Sequence, residues 1–528
     1  MVTQRTPGKD APHVVVIGAG VGGLATALRL LTGGFAVTLL ERGPRPGGKM
    51  RQIAVGSDSF DGGPSVMTMP WVLDDLLACA GVSRRDVLSL SPLSPLCRHF
   101  FADGSALDLF ADEPQPPGTH RHPDAAWQRS ADEIARVIGP RSAEEYVRFR
   151  RHAAAIYSAV EGPFLRRALP HGLREVVTAF SLRDAFGMLR LDALRSLWRA
   201  LCRQFSDERL RILFARYATY SGADPFVAPA TLAVIPHVEL AFGVYAVNGG
   251  MYSVAACLSE LVTRHGGRLR CEAEVERVEL DERGERATAV VVGGERIAAD
   301  YVVANCDAVQ LYARLLSGTR IADRHAQAVA RLAPSLSAHL NLFVVDGAGV
   351  ESLPLVHHNV FFSRDYEQEW RELRSGPPSD PTVYLCNPDF GQVHQRWFCL
   401  TNSPPLPEQG AGPWNAALRA ACRERVVQQL ARHHIALAPI VQAESDVTPQ
   451  DFAALFPLSR GAIYGPAASS RLGAFARPRN RVPGVDNLFC VGGSTHPGAG
   501  VPMVMLSAAI VSELLRSQHD RAAQRRVA

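Results

Sequence analysis

Val14-Val15-Val16-Ile17-Gly18-Ala19-Gly20-Val21-Gly22-Gly23 is the stretch on which the fold turns. Its apolar run predicts a strand buried on both faces. The glycines predict a tight turn into a helix whose apolar positions include Leu24, Leu28, Leu30 and Leu31. In such a unit Gly18 permits the turn, Gly20 lets backbone approach a pyrophosphate, and Gly23 lets helix pack on strand. The free N–H groups of that helix, with Gly22 beside them, then face a dianion. Glu41 follows Gly18 by 23 residues, at the end of a second apolar run over 37–40. A carboxylate there takes ribose hydroxyls and disfavours a 2′-phosphate. The expectation is a dinucleotide-binding βαβ unit.

A second glycine cluster lies near the other end: Val491-Gly492-Gly493-Ser494-Thr495-His496-Pro497-Gly498-Ala499-Gly500-Val501-Pro502. A flavin is long, and burying it takes one such turn for the pyrophosphate and another near the isoalloxazine. Proline is favoured in the first turn of a helix, so a helix is expected from about 502 to 515. Its free N–H groups would face the flavin's pyrimidine edge, which becomes negative on reduction.

The 528 residues suffice for two or three domains with a large core. A net charge of +4 is too small to argue nucleic-acid binding, and no nucleic-acid partner is expected. Ten cysteines without a C-x-x-C pair argue against a zinc site or disulfide framework, and a reducing cytoplasm fits. The longest uncharged stretch, 487–512, is broken by glycines and by Pro497 and Pro502, so no transmembrane helix is expected. The basic residues before the first apolar run imitate a secretion signal, but that run is the dinucleotide turn itself. Oligomeric state is not legible.

The pattern divides the chain into first-sheet residues 11–80, a proline-punctuated stretch 81–124, a helical and arginine-rich region 125–245, a middle segment 246–309, alternating strands and helices over 310–480, a closing segment 481–515 and a polar tail 516–528. Strands are expected over 269–280, 287–292 and 301–304. The first, middle and closing segments are expected to share one sheet.

The opening motif, Glu41, Pro46-Gly47-Gly48-Lys49-Met50, Phe60-Asp61-Gly62-Gly63-Pro64-Ser65 and Thr495-His496-Pro497-Gly498-Ala499-Gly500 together resemble the bacterial carotenoid desaturases, flavoproteins of the phytoene-desaturase type. The likeness runs nearly end to end. Three further stretches resemble the branch of 1-hydroxycarotenoid 3,4-desaturases, also called methoxyneurosporene dehydrogenases: Gly63-Pro64-Ser65-Val66-Met67-Thr68-Met69, Arg216-Tyr217-Ala218-Thr219-Tyr220-Ser221-Gly222 with Pro225-Phe226, and Val501-Pro502-Met503-Val504-Met505-Leu506-Ser507. The resemblance implies an α/β fold: a Rossmann-type FAD-binding domain assembled from three chain segments, a mixed-sheet substrate domain and a mainly helical membrane-facing region. It implies FAD, held at Gly18, Gly20, Gly22, Gly23 and Glu41, then Gly48, Lys49 and Met50, with Val275 at the adenine and Gly493, Ser494, Val501, Pro502 and Met503 at the isoalloxazine. Lys49 stands where many relatives have arginine, which keeps the charge and loses the guanidinium fork.

Removing two hydrogens from adjacent carbons needs no side-chain nucleophile; the cofactor takes a hydride equivalent and the second hydrogen leaves as a proton. His496 is a candidate to accept that proton or polarise a hydroxyl, or else a loop histidine fixing the turn before Pro497. Asp61 is a second candidate, or else a turn-forming residue before Gly62-Gly63. His357-His358 resembles a metal doublet, but neighbours on a strand face opposite ways and no partner has ligand spacing, so no metal is expected. Tyr217, Tyr220, Phe226 and Phe242 are read as core or as the lining of an apolar tunnel.

Residues 141–216 hold 15 Arg, no Lys and 8 acids. Most such runs are solvated helix faces. At roughly 0.8 kcal/mol per CH₂, however, holding a long acyclic carotenoid in water would cost on the order of 30 kcal/mol. The substrate must come from a bilayer, so this basic region, with Phe164, Leu165, Phe180, Met188, Leu189 and Trp198, is expected to dock a cytoplasmic protein peripherally on a membrane surface. The competing readings are a phytoene desaturase, a flavin amine oxidase and a non-catalytic prenyl-lipid escort protein.

Overall fold

The strand His13–Ile17 lies at the centre of a five-stranded parallel sheet. Ala36–Leu40 and then Arg268–Arg270 flank it on one side; Tyr301–Ala304 and then Leu488–Cys490 flank it on the other. The computed structural model describes residues 11–112, 127–169, 195–408, 412–467 and 477–527. Alternation along the central strand divides two cores. Val14 and Val16 pack with the helices Val21–Thr32, Tyr252–Arg264 and Val501–Val527, while Val15 and Ile17 pack with an antiparallel layer of Val275–Leu280, Ala287–Val292 and Glu295–Ala298. Burial on both faces is why the run is continuously apolar.

The single strand expected over 269–280 is two strands in two sheets. Glu272 takes φ +53° between them, and the N–H groups of Glu272 and Ala273 donate to the carbonyls of Gly43 and Glu41. The chain thereby leaves the parallel sheet and enters the antiparallel layer. The closing helix also differs from expectation. It begins at Val501 and runs through the polar tail to Val527, where residues 521–525 are exposed.

A second, mixed sheet has seven strands, in the order Val441–Val447, Ser337–Val345, Gln395–Ser403, Val383–Cys386, His358–Phe361, Cys97–Phe100 and Ala106–Leu109. Only the His358–Phe361 and Cys97–Phe100 pair is parallel. One face, with Phe343, Val345, Trp397 and Cys399, packs on Val426 and Leu430 of the helix Ala416–Ala431. The opposite face presents Ala338, Leu340, Phe398 and Leu400 to a cavity.

Helices dominate the described part of 125–245: Gln128–Val137, Pro140–Val160, Leu197–Gln204, Glu208–Ala215 and Val234–Phe242. Residues 170–194, with Arg174, Phe180, Met188 and Leu189 of the expected docking surface, lie outside the described residues. Among the described residues no helix is long and apolar enough to cross a membrane, and all ten cysteines are free thiols.

Candidate active site

A cavity of about 940 Å³ runs from the opening glycine turn, along the closing cluster, to the apolar face of the mixed sheet. At its first end Gly18 takes φ +95° and turns the chain out of the central strand. A side chain on this turn has nowhere to go: a Cβ on Gly20 would stand 2.9 Å from Asn305 Oδ1. One on Gly22 would meet Asn305 Nδ2 and Val504 Cγ1, each at 2.8 Å. Bare backbone therefore lines the cavity where the helix Val21–Thr32 begins, and the first-turn N–H groups of that helix have no intrahelical partner.

Beside the turn, Glu41 Oε2 accepts the Ala19 N–H and Oε1 accepts the Gly43 N–H, each at 2.8 Å. These bonds hold the carboxylate on the cavity wall with lone pairs remaining for ribose hydroxyls. Val275 is buried on the same wall. This donor and acceptor set fits the pyrophosphate and ribose of a dinucleotide.

Gly48, Lys49 and Met50 continue the wall towards Gly493, Ser494 and Val501. Ser494 Oγ accepts the Ala308 N–H at 3.1 Å, tying the closing loop to the short helix Ala308–Gln310 that follows the Tyr301–Ala304 strand. The closing helix brings Val501 and Val504 to the cavity; Pro502 and Met503 sit in the same turn without lining it. Lys49 is half-buried, donates to the Ile463 carbonyl at 2.8 Å and packs over Phe456. Burial lowers its pKa, and Asp307 opposes that shift.

Sequence reasoning missed two residues here. Asn305 follows its strand, donating its backbone N–H to Ile17 O at 2.7 Å and its Nδ2 to Val491 O at 3.0 Å, so one residue ties the strand ends before both glycine clusters. Arg477 donates to Gly493 O at 2.7 Å, and burial pulls its pKa down to about 10. A polar residue at the C-terminal end of a parallel strand was the available signal for Asn305; Arg477 gave none.

Neither acid–base candidate lines the large cavity. Asp61 accepts the N–H groups of Met251 and Tyr252 at 2.7 and 3.0 Å, so its carboxylate caps the helix Tyr252–Arg264. It faces a small hollow that adjoins the large cavity at Ser65 and Phe398 and does not itself line that cavity. His496 is fully buried, with Nε2 on the Arg167 carbonyl at 2.9 Å and its ring edge-on to Phe164. Burial lowers it to about 4, so it is neutral at physiological pH and joins the closing loop to the helical region.

Of the four aromatic residues, only Tyr220 lines the cavity. Tyr217 is in the core, Phe226 packs on Trp198 and Phe242 on Tyr157. The histidine pair is corrected. His357 precedes the strand, the register places Cys386 opposite His358, and donor atoms of the three lie within 4.8 Å of one another. Burial pushes the Cys386 thiol up to about 12 and pulls both imidazoles down, His357 to about 4. His358 Nδ1 pairs with Tyr384 OH at 2.8 Å, and that hydroxyl with Ser65 Oγ at 2.8 Å.

The family model for flavin containing amine oxidoreductase matches residues 21–515. Hydroxyneurosporene desaturase of Rubrivivax gelatinosus is 37% identical over 97% of this chain and 95% of its own. A 1-hydroxycarotenoid 3,4-desaturase of Flavobacterium sp. (strain P99-3) is 27% identical over 95% of this chain and 98% of its own. Among solved structures, cyclohexylamine oxidase of Brevibacterium oxydans IH-35A matches with a TM-score of 0.59 and 15% identity, covering 96% of this chain and 100% of that one, a likeness of fold alone. The dinucleotide cradle, the fold and these relatives converge: the chain belongs to the flavin containing amine oxidoreductases and, within them, to the carotenoid desaturases, and it is an FAD-dependent oxidoreductase.

Proposed function

We propose that this chain introduces the C3–C4 double bond into an acyclic carotenoid bearing a hydroxyl at C1. The observation that carries the reading is one continuous cavity joining the dinucleotide cradle to the apolar wall of Ala338, Leu340, Phe398 and Leu400. Hydroxyneurosporene desaturases among the relatives support the hydroxylated substrate. When bound, FAD supplies the acceptor for the hydride removed from the substrate.

The chain's own part is alignment, exclusion of water and charge. The apolar sheet face orients the hydrocarbon and keeps the reacting carbons dry. Lys49 on the wall, with Arg477 behind Gly493, places positive charge near the isoalloxazine end, where reduction brings negative charge. The chain Ser65–Tyr384–His358 leads from the wall into the interior and fixes the two hydroxyls there; burial and the nearby Arg216 keep His358 uncharged, so it is no sink for the departing proton. Cys306, also on the wall, is held protonated by burial, which pushes it up to about 12, so covalent catalysis by this thiol has no support. Buried cations on the wall also disfavour an amine substrate.

Supply from a bilayer remains part of the proposal: the basic helical region docks on anionic lipid, with the protein peripheral to the membrane. Arg150 and Arg216 are buried and lie off that surface, and the charge of Arg166 is partly offset, because it pairs with Glu161 at 2.9 Å and lies over the Trp71 ring.

The test incubates flavin-loaded protein in liposomes with a 1-hydroxylated acyclic carotenoid, its non-hydroxylated counterpart and phytoene, and resolves products by chromatography. The hydroxylated carotenoid should be consumed fastest and gain one conjugated double bond at C3–C4. Faster consumption of phytoene would move the chain to the phytoene-desaturase branch.

A further inference from the structure

Arg216 begins the 3₁₀ turn Arg216–Ser221 and lines the cavity, yet is only 6% exposed. Its guanidinium lies over the rings of Tyr217 and Tyr220, 4.9 and 5.4 Å from their centroids. Its Nε and Nη2 are buried without a hydrogen-bond acceptor among the described residues. The nearby acid is Glu239, which holds the two phenols and makes no hydrogen bond to the guanidinium: Oε1 accepts Tyr217 OH and Oε2 accepts Tyr220 OH, each at 2.7 Å. The other titratable neighbours are neutral. Burial, with the cation's help, holds His99 at about 3, and burial pushes Cys97 and Tyr464 up to about 12 against the cation's pull. A guanidinium has five donors in a fixed fork, and leaving buried donors unmade is costly. The feature calls for an oxygen acceptor arriving through the cavity.

Its position says which oxygen. A Cβ on Gly222, at the end of the turn, would stand 2.7 Å from Tyr464, and one on Gly465 would stand 2.8 Å from Ser494 Cα. The turn therefore abuts the strip Tyr464-Gly465, which abuts the closing loop at the isoalloxazine end of the cradle. We infer that Arg216 binds the C1 oxygen of the substrate and thereby sets C3–C4 at the redox centre. This inference rests on the hydroxylated-substrate reading. Tyr217, Tyr220 and Glu239 act as positioning residues: the carboxylate fixes the phenols, and the phenol rings fix the guanidinium plane. Two carbons separate C1 from C4, so a clamp on the C1 oxygen selects the bond as well as the substrate.

The test compares the holoenzyme with Arg216→Met and with the double variant Arg216→Met/Glu239→Gln, which removes both buried charges together and spares the fold an uncompensated acid. Each is assayed in liposomes with a 1-hydroxylated acyclic carotenoid and the same carotenoid lacking the hydroxyl. A charge-assisted hydrogen bond corresponds to roughly ten- to hundredfold in kcat/KM. That loss is expected on the hydroxylated substrate alone, through both KM and kcat, with flavin content unchanged. Parental selectivity in the double variant, where the parent itself prefers the hydroxyl, would overturn the role of Arg216 and leave the substrate reading standing. A parent that does not distinguish the two substrates would overturn both. A folded double variant purified without flavin would overturn the inference by assigning Arg216 to the cofactor.

Discussion

A single methyl on Gly23 should break the cofactor cradle. A Cβ there would stand 2.1 Å from the carbonyl oxygen of Gly18 and 3.1 Å from Asn305 Oδ1. A carbon and a carbonyl oxygen in favourable contact sit about 3.3 Å apart, so the helix must withdraw by about 1 Å. Gly18 cannot yield instead, because its N–H is held on Leu40 O at 2.7 Å and its φ is +95°. Overpacking costs typically about 1–3 kcal/mol, and this backbone-against-backbone contact belongs at the upper end. Because the displaced element carries the N–H groups that face the pyrophosphate, the loss falls on FAD binding; about 3 kcal/mol is about a hundredfold in Kd. The assay is the flavin-to-protein ratio after purification, followed by FAD titration of apoprotein and thermal melting with and without FAD. Gly23→Ala should lose flavin and most of the melting shift that ligand binding confers. Gly162→Ala is the control, since nothing lies within 4 Å of its added Cβ. Full flavin retention and parental affinity in Gly23→Ala would refute the assignment of this turn.

Asp61→Ala removes the acceptor for two helix N–H groups and should lower stability by about 1–2 kcal/mol with kcat unchanged; a lost kcat at parental Tm would restore Asp61 as a reacting group. Burial holds His496 and His237 at about 4, below the ordinary imidazole value of 6.5. Between those values the unfolded chain binds protons that the folded one excludes, so stability is complete above about 6.5 and falls as pH falls towards 4. His496→Gln should flatten that slope, measured by melting across pH, and leave the kcat profile in place; a shifted kcat profile would return His496 to the chemistry. Lys49→Met removes a half-buried ammonium from the end of the cavity proposed for the isoalloxazine and should lower the flavin midpoint potential in a redox titration, whereas an unchanged potential would place that charge away from the ring.

Much of the nucleotide side was legible because its signals are local. Four apolar residues before a glycine turn, and an acid at the end of the next apolar run, describe one strand–turn–helix–strand unit whose parts are neighbours in the chain. The α/β class follows from them, as does the glycine at each point where helix and strand backbones touch. The failures were failures of range. Asp61 looked reactive because its partners, the N–H groups of Met251 and Tyr252, are about 190 residues away. His357-His358 lacked a ligand-spaced partner because Cys386 arrives by strand register.

By itself, then, the sequence determined the units whose geometry depends on backbone freedom and hydrophobic period: the opening turn, the central strand, the helix behind it and the closing glycine loop. Only the tertiary structure decided which buried polar groups are satisfied and which are not. Glu239 holds two tyrosine hydroxyls and Asn305 ties the strands before both glycine clusters, while Arg216 keeps two buried donors without an acceptor among the described residues. The physical reason is that a buried hydrogen bond is fixed by whatever element packs opposite, and those elements meet only when the mixed sheet, the helical region and the dinucleotide sheet close on one cavity.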